Sequence, residues 1–164
     1  RELFERGIGV DIIRHPEFPE DLLFEKANLD VDQIPLPEGV ADLVVAVETI
    51  EHLENPRAFV RNLKRLAKPG GWLIVTTPNQ LSWLSKLTLI LKNQFNAFQL
   101  GNYPAHITAL LACDLERIAK ECELVNPSIE YTGRGRMPGL PWSWPRPLGG
   151  RRFSDNVALV AQRT

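Results

Sequence analysis

The pattern of hydrophobic and polar residues is clearest between residues 30 and 79, where a short apolar run stands between charged residues. The run is Leu43-Val-Val-Ala-Val47, preceded by Asp42 and followed by Glu48, Thr49, Glu51 and His52. A brief run rich in valine is typical of a buried strand in a parallel sheet. Because open α/β sheets bind ligands at the carboxyl ends of their strands, we expect the polar residues after this run to line a ligand site.

The same pattern predicts five more strands and three helices. Strands are expected at residues 8–13, 24–29, 72–77, 128–132 and 156–161, in addition to 43–47. Apolar residues at helical spacing predict helices over 56–67, 81–98 and 114–123. Asn55 and Pro56 supply the cap and the first turn of the first of these helices. Residues 1–6 have the pattern of a helix end that stops at Gly7.

Five motifs follow one another in the first half of the chain. They are Asp30 with Ile34-Pro-Leu-Pro37, the run Asp42 to Glu48, Glu51-His52-Leu53, Leu66-Ala-Lys-Pro-Gly-Gly71 and Thr77-Pro-Asn79. In order and spacing they resemble the middle of a class I S-adenosylmethionine-dependent methyltransferase. The resemblance implies a single domain over residues 1–164 with a three-layer, Rossmann-like α/β sheet, mostly parallel with an antiparallel last strand. That family opens with a strand and a glycine-rich turn, which do not precede Arg1, so the sheet is expected to be incomplete at the N-terminus.

The resemblance also implies which residues hold the cofactor, S-adenosylmethionine. Asp11 would accept hydrogen bonds from the ribose hydroxyls. Asp30 would take the adenine amino group, with the backbone at Val31 against the ring, and Glu48 would line the same donor half. Two simpler interpretations stay open, because Asp11 is also a good turn former and Asp30 also fits a plain loop carboxylate.

Two histidines are the candidate catalytic residues. Methyl transfer to an oxygen or nitrogen is helped by a base, and His52, just beyond Glu48, is the first candidate. His106 is the second, since similar methyltransferases carry a His-Ile pair at this point. The alternatives are that Glu51 and His52 organise the start of the next helix and that His106 is a structural histidine.

Composition and charge narrow the class of protein. A chain of 164 residues with 44% hydrophobic and 24% charged residues fits one soluble globular domain. Cys113 and Cys122 lack metal-type spacing, so buried thiols in a reducing cytoplasm are expected and no metal site is predicted. Up to Asn55 there are 14 acidic and 4 basic residues, and from Pro56 onward 6 acidic and 15 basic. This asymmetry indicates either a charged partner or a donor pocket in the acidic half.

Two connecting segments carry unusual residues. The apolar segment 80–100 is predicted to form a lid or a substrate wall, with homodimerisation through 81–98 and contact with a membrane surface as the alternatives. The segment 133–154 holds five arginines, Trp142 and Trp144 but no acidic residue. We expect this loop to flank the acceptor side and to favour an anionic or aromatic acceptor, the alternative being a solvated loop. No nucleic-acid partner is expected, because no recognised motif supports one.

Two functions follow from these patterns. The first is S-adenosylmethionine-dependent methyl transfer to a small-molecule or lipid-linked acceptor. The second is a non-catalytic binding or interaction module with a methyltransferase-like fold that lacks donor binding, since the backbone donors of a glycine-rich turn are not in this sequence. Affinity for S-adenosylmethionine separates the two.

Overall fold

The computed structural model describes residues 4–30 and 33–164, which form a mixed α/β fold. The strands are β1 (Ile8–Asp11), β2 (Leu23–Lys26), β3 (Ala41–Ala46), β4 (Ala67–Pro78), β5 (Leu124–Thr132) and β6 (Asn156–Arg163). The helices are α1 (Pro56–Leu66), α2 (Trp83–Lys92) and α3 (Ala112–Glu121), and three short 3-10 turns lie at Ile50–His52, Asn96–Phe98 and Leu100–Asn102. The predicted fold class is therefore confirmed.

The strands form two separately hydrogen-bonded sheets. In one, β1 and β2 pair in parallel. In the other, the order is β3-β4-β6-β5, with β3 parallel to β4 and β6 antiparallel to both β4 and β5. The antiparallel last strand is thus confirmed, and β3 and β5 are the two edges of this sheet. Within residues 4–30 and 33–164, β1 and β3 each have a hydrogen-bonded neighbour on one side only.

The main core lies between the four-stranded sheet and helices α1 and α3. Its fully buried side chains include Phe59 and Val60 of α1, Leu73 and Val75 of β4, and Leu115 and Ile118 of α3. The predicted cap of α1 is present, since Asn55 Oδ1 accepts a hydrogen bond from Ala58 N at 3.0 Å. The apolar face of α1 therefore packs on the sheet, and this fixes the position of the segment between β3 and α1.

Several element boundaries differ from the sequence predictions: β1 and β2 end at Asp11 and Lys26 rather than at residues 13 and 29, and β5 begins at Leu124 rather than at residue 128. Strand β4 begins at Ala67 rather than at residue 72, because Ala67 is extended and pairs with Ala41 of β3, ahead of an irregularity in the register. Helix α2 ends at Lys92, well before residue 98, because Asn93 adopts the left-handed conformation with a φ of 56°. The predicted helix end at residues 1–6 is wrong for its described part, since Phe4–Arg6 are not helical and residues 1–3 lie outside the described ranges.

Helix α2 is apolar but too short to span a membrane, which takes about 20 residues. The helix has 10 residues. Among the described residues, no helix is long and apolar enough to cross a membrane.

Candidate active site

The segment that follows β3 is fixed by its neighbour β4. Glu48 adopts a left-handed backbone conformation with a φ of 48°, a strained geometry for a residue with a side chain. Its backbone N donates to Thr76 Oγ1 at 3.1 Å, and Thr76 Oγ1 donates to Glu48 Oε1 at 3.0 Å. Burial, and then the neighbouring Glu51, raise the pKa of the half-buried Glu48 carboxyl. Thr76 therefore holds both the backbone and the side chain of Glu48.

Glu51 is the most buried charged side chain at this tip. Its exposed fraction is 0%. Oε2 accepts a hydrogen bond from Thr77 Oγ1 at 3.1 Å, whereas Oε1 is buried and has no hydrogen-bond partner among the described residues. Burial raises the pKa of this carboxyl group. Such a half-satisfied buried carboxylate is costly, which makes a second partner for Oε1 favourable.

The two predicted histidines lie side by side. The ring centroids of His52 and His106 are 4.7 Å apart, and the rings cross at 86°. His52 Nδ1–H donates to Ala105 O at 2.7 Å, which leaves the lone pair on Nε2. His106 Nδ1 is buried and unpartnered within the described ranges, and its ring also packs on Phe98 at 5.4 Å.

The chain around His106 is held to the tip of β3 by backbone hydrogen bonds. Ile107 N and Thr108 N both donate to Glu51 O at 3.0 Å. Thr108 Oγ1 donates to Leu53 O at 2.6 Å. Two stretches that are far apart in the sequence are thereby locked together, and the histidine pair is set by the backbone rather than by side-chain packing alone.

A cavity of about 440 Å³ opens beside Glu48 and His106. Carboxamides and hydroxyls dominate its lining, which consists of Glu48, Pro78, Asn79, Gln80, Ser82, Ser85, Asn96, Ala97, Gln99, Asn102, His106, Arg136, Asp155 and Asn156. Several of these groups are already engaged: Asn79 Nδ2 donates to Arg151 O at 2.7 Å and to Ser154 O at 2.9 Å. The cavity is therefore polar, and its walls are tied together by their own hydrogen bonds.

The segment 80–100 forms part of this wall with its polar side. Ser82 and Ser85 are buried and line the cavity, whereas Ile90 and Leu91 on the other side of α2 are 79% and 72% exposed. Two of the apolar residues that suggested a lid or wall, Ile90 and Leu91, thus lie on the exposed side of α2. Dimerisation or membrane contact through 81–98 stays a prediction for that exposed side.

The loop 133–154 folds back on itself and contacts the cavity at one arginine. Arg136 pairs with Ser143 in an isolated β-bridge and lines the cavity, with its Nε 3.2 Å from Asp155 Oδ2. Arg134 instead donates to Trp144 O at 3.0 Å within the loop, and Trp142 is 65% exposed. Only Arg136, among the residues expected to grip an acceptor, reaches the cavity.

The predicted donor residues follow β1 and β2. Asp11 is the exposed last residue of β1, and its Oδ1 accepts from Ile12 N at 2.6 Å. Asp30 Oδ1 accepts from Glu54 N at 2.9 Å and from Asn55 N at 3.2 Å, so this carboxylate also ties the end of the β2 segment to the start of α1. Val31 lies outside the described residues. Glu48, predicted on the donor half, lines the cavity that also contains His106.

These carboxylates suit the cofactor that the sequence pattern implies. A carboxylate only accepts hydrogen bonds, and the ribose hydroxyls and the adenine amino group are donors. The structure records hydrogen bonds to one oxygen each of Asp11 and Asp30. The chemistry of this pair therefore fits the nucleoside part of S-adenosylmethionine.

Sequence reasoning missed the residues that hold the site in shape. Thr76 and Thr77 bind the two glutamates from β4, and Asp155 neutralises Arg136. Adjacent residues of a strand point to opposite faces of the sheet, so Thr76 and Thr77 at the end of a predicted strand were a signal that two hydroxyls reach the site from different faces. The role of Asp155 had no comparable signal, because it depends on how the loop folds.

Comparisons with known proteins agree on the family. A family model described as "Methyltransferase domain" matches residues 1–129. The chain is 39% identical over 51 residues to a Mycolicibacterium smegmatis protein named "Probable S-adenosylmethionine-dependent methyltransferase", a match that covers 31% of this chain and 20% of that protein. It is 38% identical over 72 residues to the ubiquinone biosynthesis O-methyltransferase of Caulobacter vibrioides, covering 44% of this chain and 24% of that enzyme.

Solved structures show the same fold at lower identity. A SAM-dependent methyltransferase from Archaeoglobus fulgidus superposes with a TM-score of 0.66 at 17% identity, covering 95% of this chain and 75% of that one. A SAM-dependent methyltransferase from Thermotoga maritima gives a TM-score of 0.66 at 16% identity, covering 88% and 65%. The matches to the two curated relatives span 20% and 24% of their lengths.

Proposed function

This chain belongs to the methyltransferase-domain family, and from that premise we propose that it transfers a methyl group from S-adenosylmethionine to an oxygen or nitrogen of a small-molecule or lipid-linked acceptor. The observation that carries the proposal is a pair of imidazoles whose ring centroids are 4.7 Å apart, and one of them, His106, lines a polar cavity of about 440 Å³. The pair stands at the carboxyl end of β3, which is where α/β sheets bind ligands.

The donor residues in this proposal are Asp11, Asp30 and the backbone at Val31. Bound S-adenosylmethionine supplies a methyl group that is already activated on a sulfonium, so the protein has to align the reactants and exclude water. The exposed Asp11 carboxylate would accept from the ribose hydroxyls. Asp30, already held by the backbone of Glu54 and Asn55, would orient the adenine. Glu48, the other residue predicted on the donor half, lines the cavity proposed for the acceptor.

The proposed acceptor residues are the two histidines. An acceptor hydroxyl or ammonium group has to lose a proton as it is methylated, and a positioned base contributes about 10²–10⁴-fold to such a step. The hydrogen bond from His52 Nδ1–H to Ala105 O leaves Nε2 of His52 able to take that proton. His106, which lines the cavity, orients the acceptor or replaces His52 in this role.

The acceptor is proposed to be small and polar, with an anionic or aromatic group. Its polar contacts would come from the carboxamides of the cavity wall. Arg136 is the cation available to a carboxylate or phosphate, although Asp155 competes for it. Electrostatic attraction for an anion should therefore be modest.

A lipid-linked acceptor is the second candidate, favoured by one observation. Ile90 and Leu91 are exposed on the side of α2 that faces away from the cavity, and Lys86 and Lys92 lie on the same helix. An apolar helix face with flanking lysines suits the surface of an anionic membrane. Sedimentation of the chain with anionic phospholipid vesicles, compared with neutral vesicles, tests this candidate.

The experiment that tests methyl transfer measures S-adenosylhomocysteine release with two probe acceptors. The chain is incubated with S-adenosylmethionine and either 3,4-dihydroxybenzoate, which is anionic and aromatic, or catechol, which is neutral. We expect release with at least one probe, and a fall of about 10²-fold or more in His52→Ala and His106→Ala. The matched control is His15→Ala, which removes the remaining histidine of the chain.

Two results would contradict the proposal. The first is the absence of S-adenosylmethionine binding at millimolar concentration, which would favour the non-catalytic module. The second is turnover that His15→Ala reduces as much as the other two variants do, because the histidine pair would then have no special part.

A further inference from the structure

We propose that Glu51, His52 and His106 form a binding site for a divalent transition-metal ion. Each residue offers one ligand atom, and these atoms lie within 4.8 Å of one another. Two imidazoles and one carboxylate are a common ligand set for such ions in proteins. The cysteine spacing that usually signals a metal site is absent from the sequence, so this cluster was not predicted from it.

The carboxylate of Glu51 is only partly satisfied by hydrogen bonds. Glu51 is fully buried, and Oε1 has no hydrogen-bond partner within the described part of the chain. Native proteins seldom leave a buried carboxylate oxygen unpaired, because the desolvation is not repaid. A bound cation would supply the missing partner, while Thr77 Oγ1 keeps the other oxygen in place at 3.1 Å.

The hydrogen bonds of the two imidazoles leave a nitrogen of each ring available to a metal ion. A histidine that binds a metal through one ring nitrogen usually donates the other N–H to a carbonyl or carboxylate, which fixes the tautomer. His52 has this arrangement, since Nδ1–H donates to Ala105 O at 2.7 Å and the lone pair is on Nε2. His106 Nδ1 is buried and lacks a hydrogen-bond partner among the residues that the structure describes. Both rings therefore have a nitrogen free for a ligand.

Backbone hydrogen bonds preorganise the three ligand residues. Ile107 N and Thr108 N donate to the carbonyl oxygen of Glu51 itself, each at 3.0 Å. The peptide that carries His106 is thus fastened to the peptide that carries the other two ligands. Ligand atoms bonded to one ion at about 2.1 Å lie no more than about 4.2 Å apart, so at most small ring rotations are needed to close the site.

The ligand set indicates the class of ion. Imidazole suits Zn²⁺, Co²⁺ and Fe²⁺, whereas Mg²⁺ and Ca²⁺ prefer oxygen ligands alone. Three protein ligands also leave coordination positions open, which is typical of sites that bind a substrate oxygen. His106 lines the acceptor cavity, so those positions would face it.

The use of this ion in catalysis rests on the proposed function, whereas its binding does not. A bound ion would polarise an acceptor hydroxyl and promote loss of its proton. The lone pairs of both imidazoles would then be committed to the ion, and neither ring would act as the base. A chelator should therefore lower methyl transfer if the ion takes part, and should leave it unchanged if the free histidines do the work.

The test of the site itself uses no methyl donor. The metal-free chain is titrated with Co²⁺, whose visible absorption reports imidazole and carboxylate ligands, and the ion is then displaced with Zn²⁺. We expect saturation at one ion per chain. Glu51→Gln and His52→Ala should each weaken Co²⁺ binding by about 100-fold or more. Mutating a residue that only hydrogen-bonds to a metal ligand already lowers metal affinity by ~10–100-fold, and these two residues are ligands themselves.

The matched controls are Glu54→Gln and His15→Ala, two changes of the same residue types outside the cluster. They should bind Co²⁺ as the wild type does. His52 is exposed, so His52→Ala tests the site even if the buried Glu51 variant fails to fold. A wild-type spectrum identical to that of aqueous Co²⁺, or an equal loss of affinity in His15→Ala, would overturn the proposal. Because no donor is present, neither result bears on methyl transfer.

Discussion

The two predicted halves of the site are built differently. On the donor half, Asp11 stands exposed at the end of a two-stranded sheet, and among the described residues its side-chain carboxylate accepts hydrogen bonds only from backbone N–H groups next in the chain. On the acceptor half, Glu51 and the two histidines lie at the end of the four-stranded sheet, where hydrogen bonds join residues far apart in sequence. Long-range contacts fix the geometry of a site, whereas local ones leave it to the ligand. Substitution of Asp11 should therefore leave the acceptor half largely unchanged, whereas Asp30 also holds the backbone of Glu54 and Asn55.

The largest expected difference between the halves is in stability. Leu73 of β4 is fully buried, whereas Leu23 of β2 is 65% exposed. Leu73→Ala should lower the free energy of unfolding by about 2–5 kcal/mol, since it removes packed atoms and leaves a cavity. Leu23→Ala should change it by about 0.5 kcal/mol or less. Urea denaturation followed by circular dichroism measures both, and equal losses would mean that the two sheets contribute alike.

The second prediction concerns donor affinity. Asp11→Ala and Asp30→Ala should each weaken S-adenosylmethionine binding by about 1–3 kcal/mol, because polar groups of the ligand lose their partners. The control is Asp42→Ala, at the opposite end of β3, where the carboxylate pairs with Lys68. Isothermal titration calorimetry measures the affinity of each variant for S-adenosylmethionine. Unchanged affinity in both site variants would show that the donor residues implied by the family resemblance are misassigned here.

The third prediction concerns the pH dependence of stability on the acceptor half. Burial raises the pKa of Glu51 above its ordinary value of 4.5. A carboxyl with a raised pKa in the folded state contributes stability below its unfolded pKa, and that contribution is lost as the pH rises through the folded pKa. The wild type should therefore lose more stability than Glu51→Gln as the pH rises from 4.5.

The glutamine in this variant can still accept the hydrogen bond from Thr77, so the comparison isolates ionisation. The measurement is urea denaturation across this pH range with a chelator present, so that no cation compensates the charge. Glu54→Gln, which changes an exposed carboxyl, should track the wild type. Parallel curves for the wild type and Glu51→Gln would mean that the Glu51 carboxyl ionises equally easily in the folded and unfolded chains.

The smallest expected effect distinguishes two arginines of the loop 133–154. Arg136 lines the cavity, whereas Arg134 bonds to the carbonyl of Trp144 within the loop. Arg136→Ala should raise the KM for an anionic acceptor by a few fold, an effect limited by the pairing of Arg136 with Asp155. Arg134→Ala should leave KM unchanged. Steady-state assays with 3,4-dihydroxybenzoate compare the two, and a larger effect from Arg134 would place the acceptor elsewhere.

The sequence predicts what depends on local pattern. The strand before Glu48, the cap at Asn55 and the antiparallel last strand all follow from apolar runs, turn chemistry or family resemblance, and the structure confirms them. Contacts between distant segments have no such pattern. The meeting of His52 with His106 depends on the backbone bonds from residues 107 and 108 to Glu51, which no periodicity encodes.

The apolar segment 80–100 shows the same limit. Its composition indicates a wall, but which side faces the cavity is decided by where the chain re-enters the fold. The serines of α2 face inward, and Ile90 and Leu91 face outward.

The most direct test of the account is one set of S-adenosylmethionine titrations by calorimetry on three forms of the chain. The account predicts that the wild type and His106→Ala bind the donor with the same affinity, and that the double variant Asp11→Ala/Asp30→Ala binds it at least about tenfold more weakly. Loss of affinity in His106→Ala with none in the double variant would contradict it, because the donor would then occupy the half assigned to the acceptor.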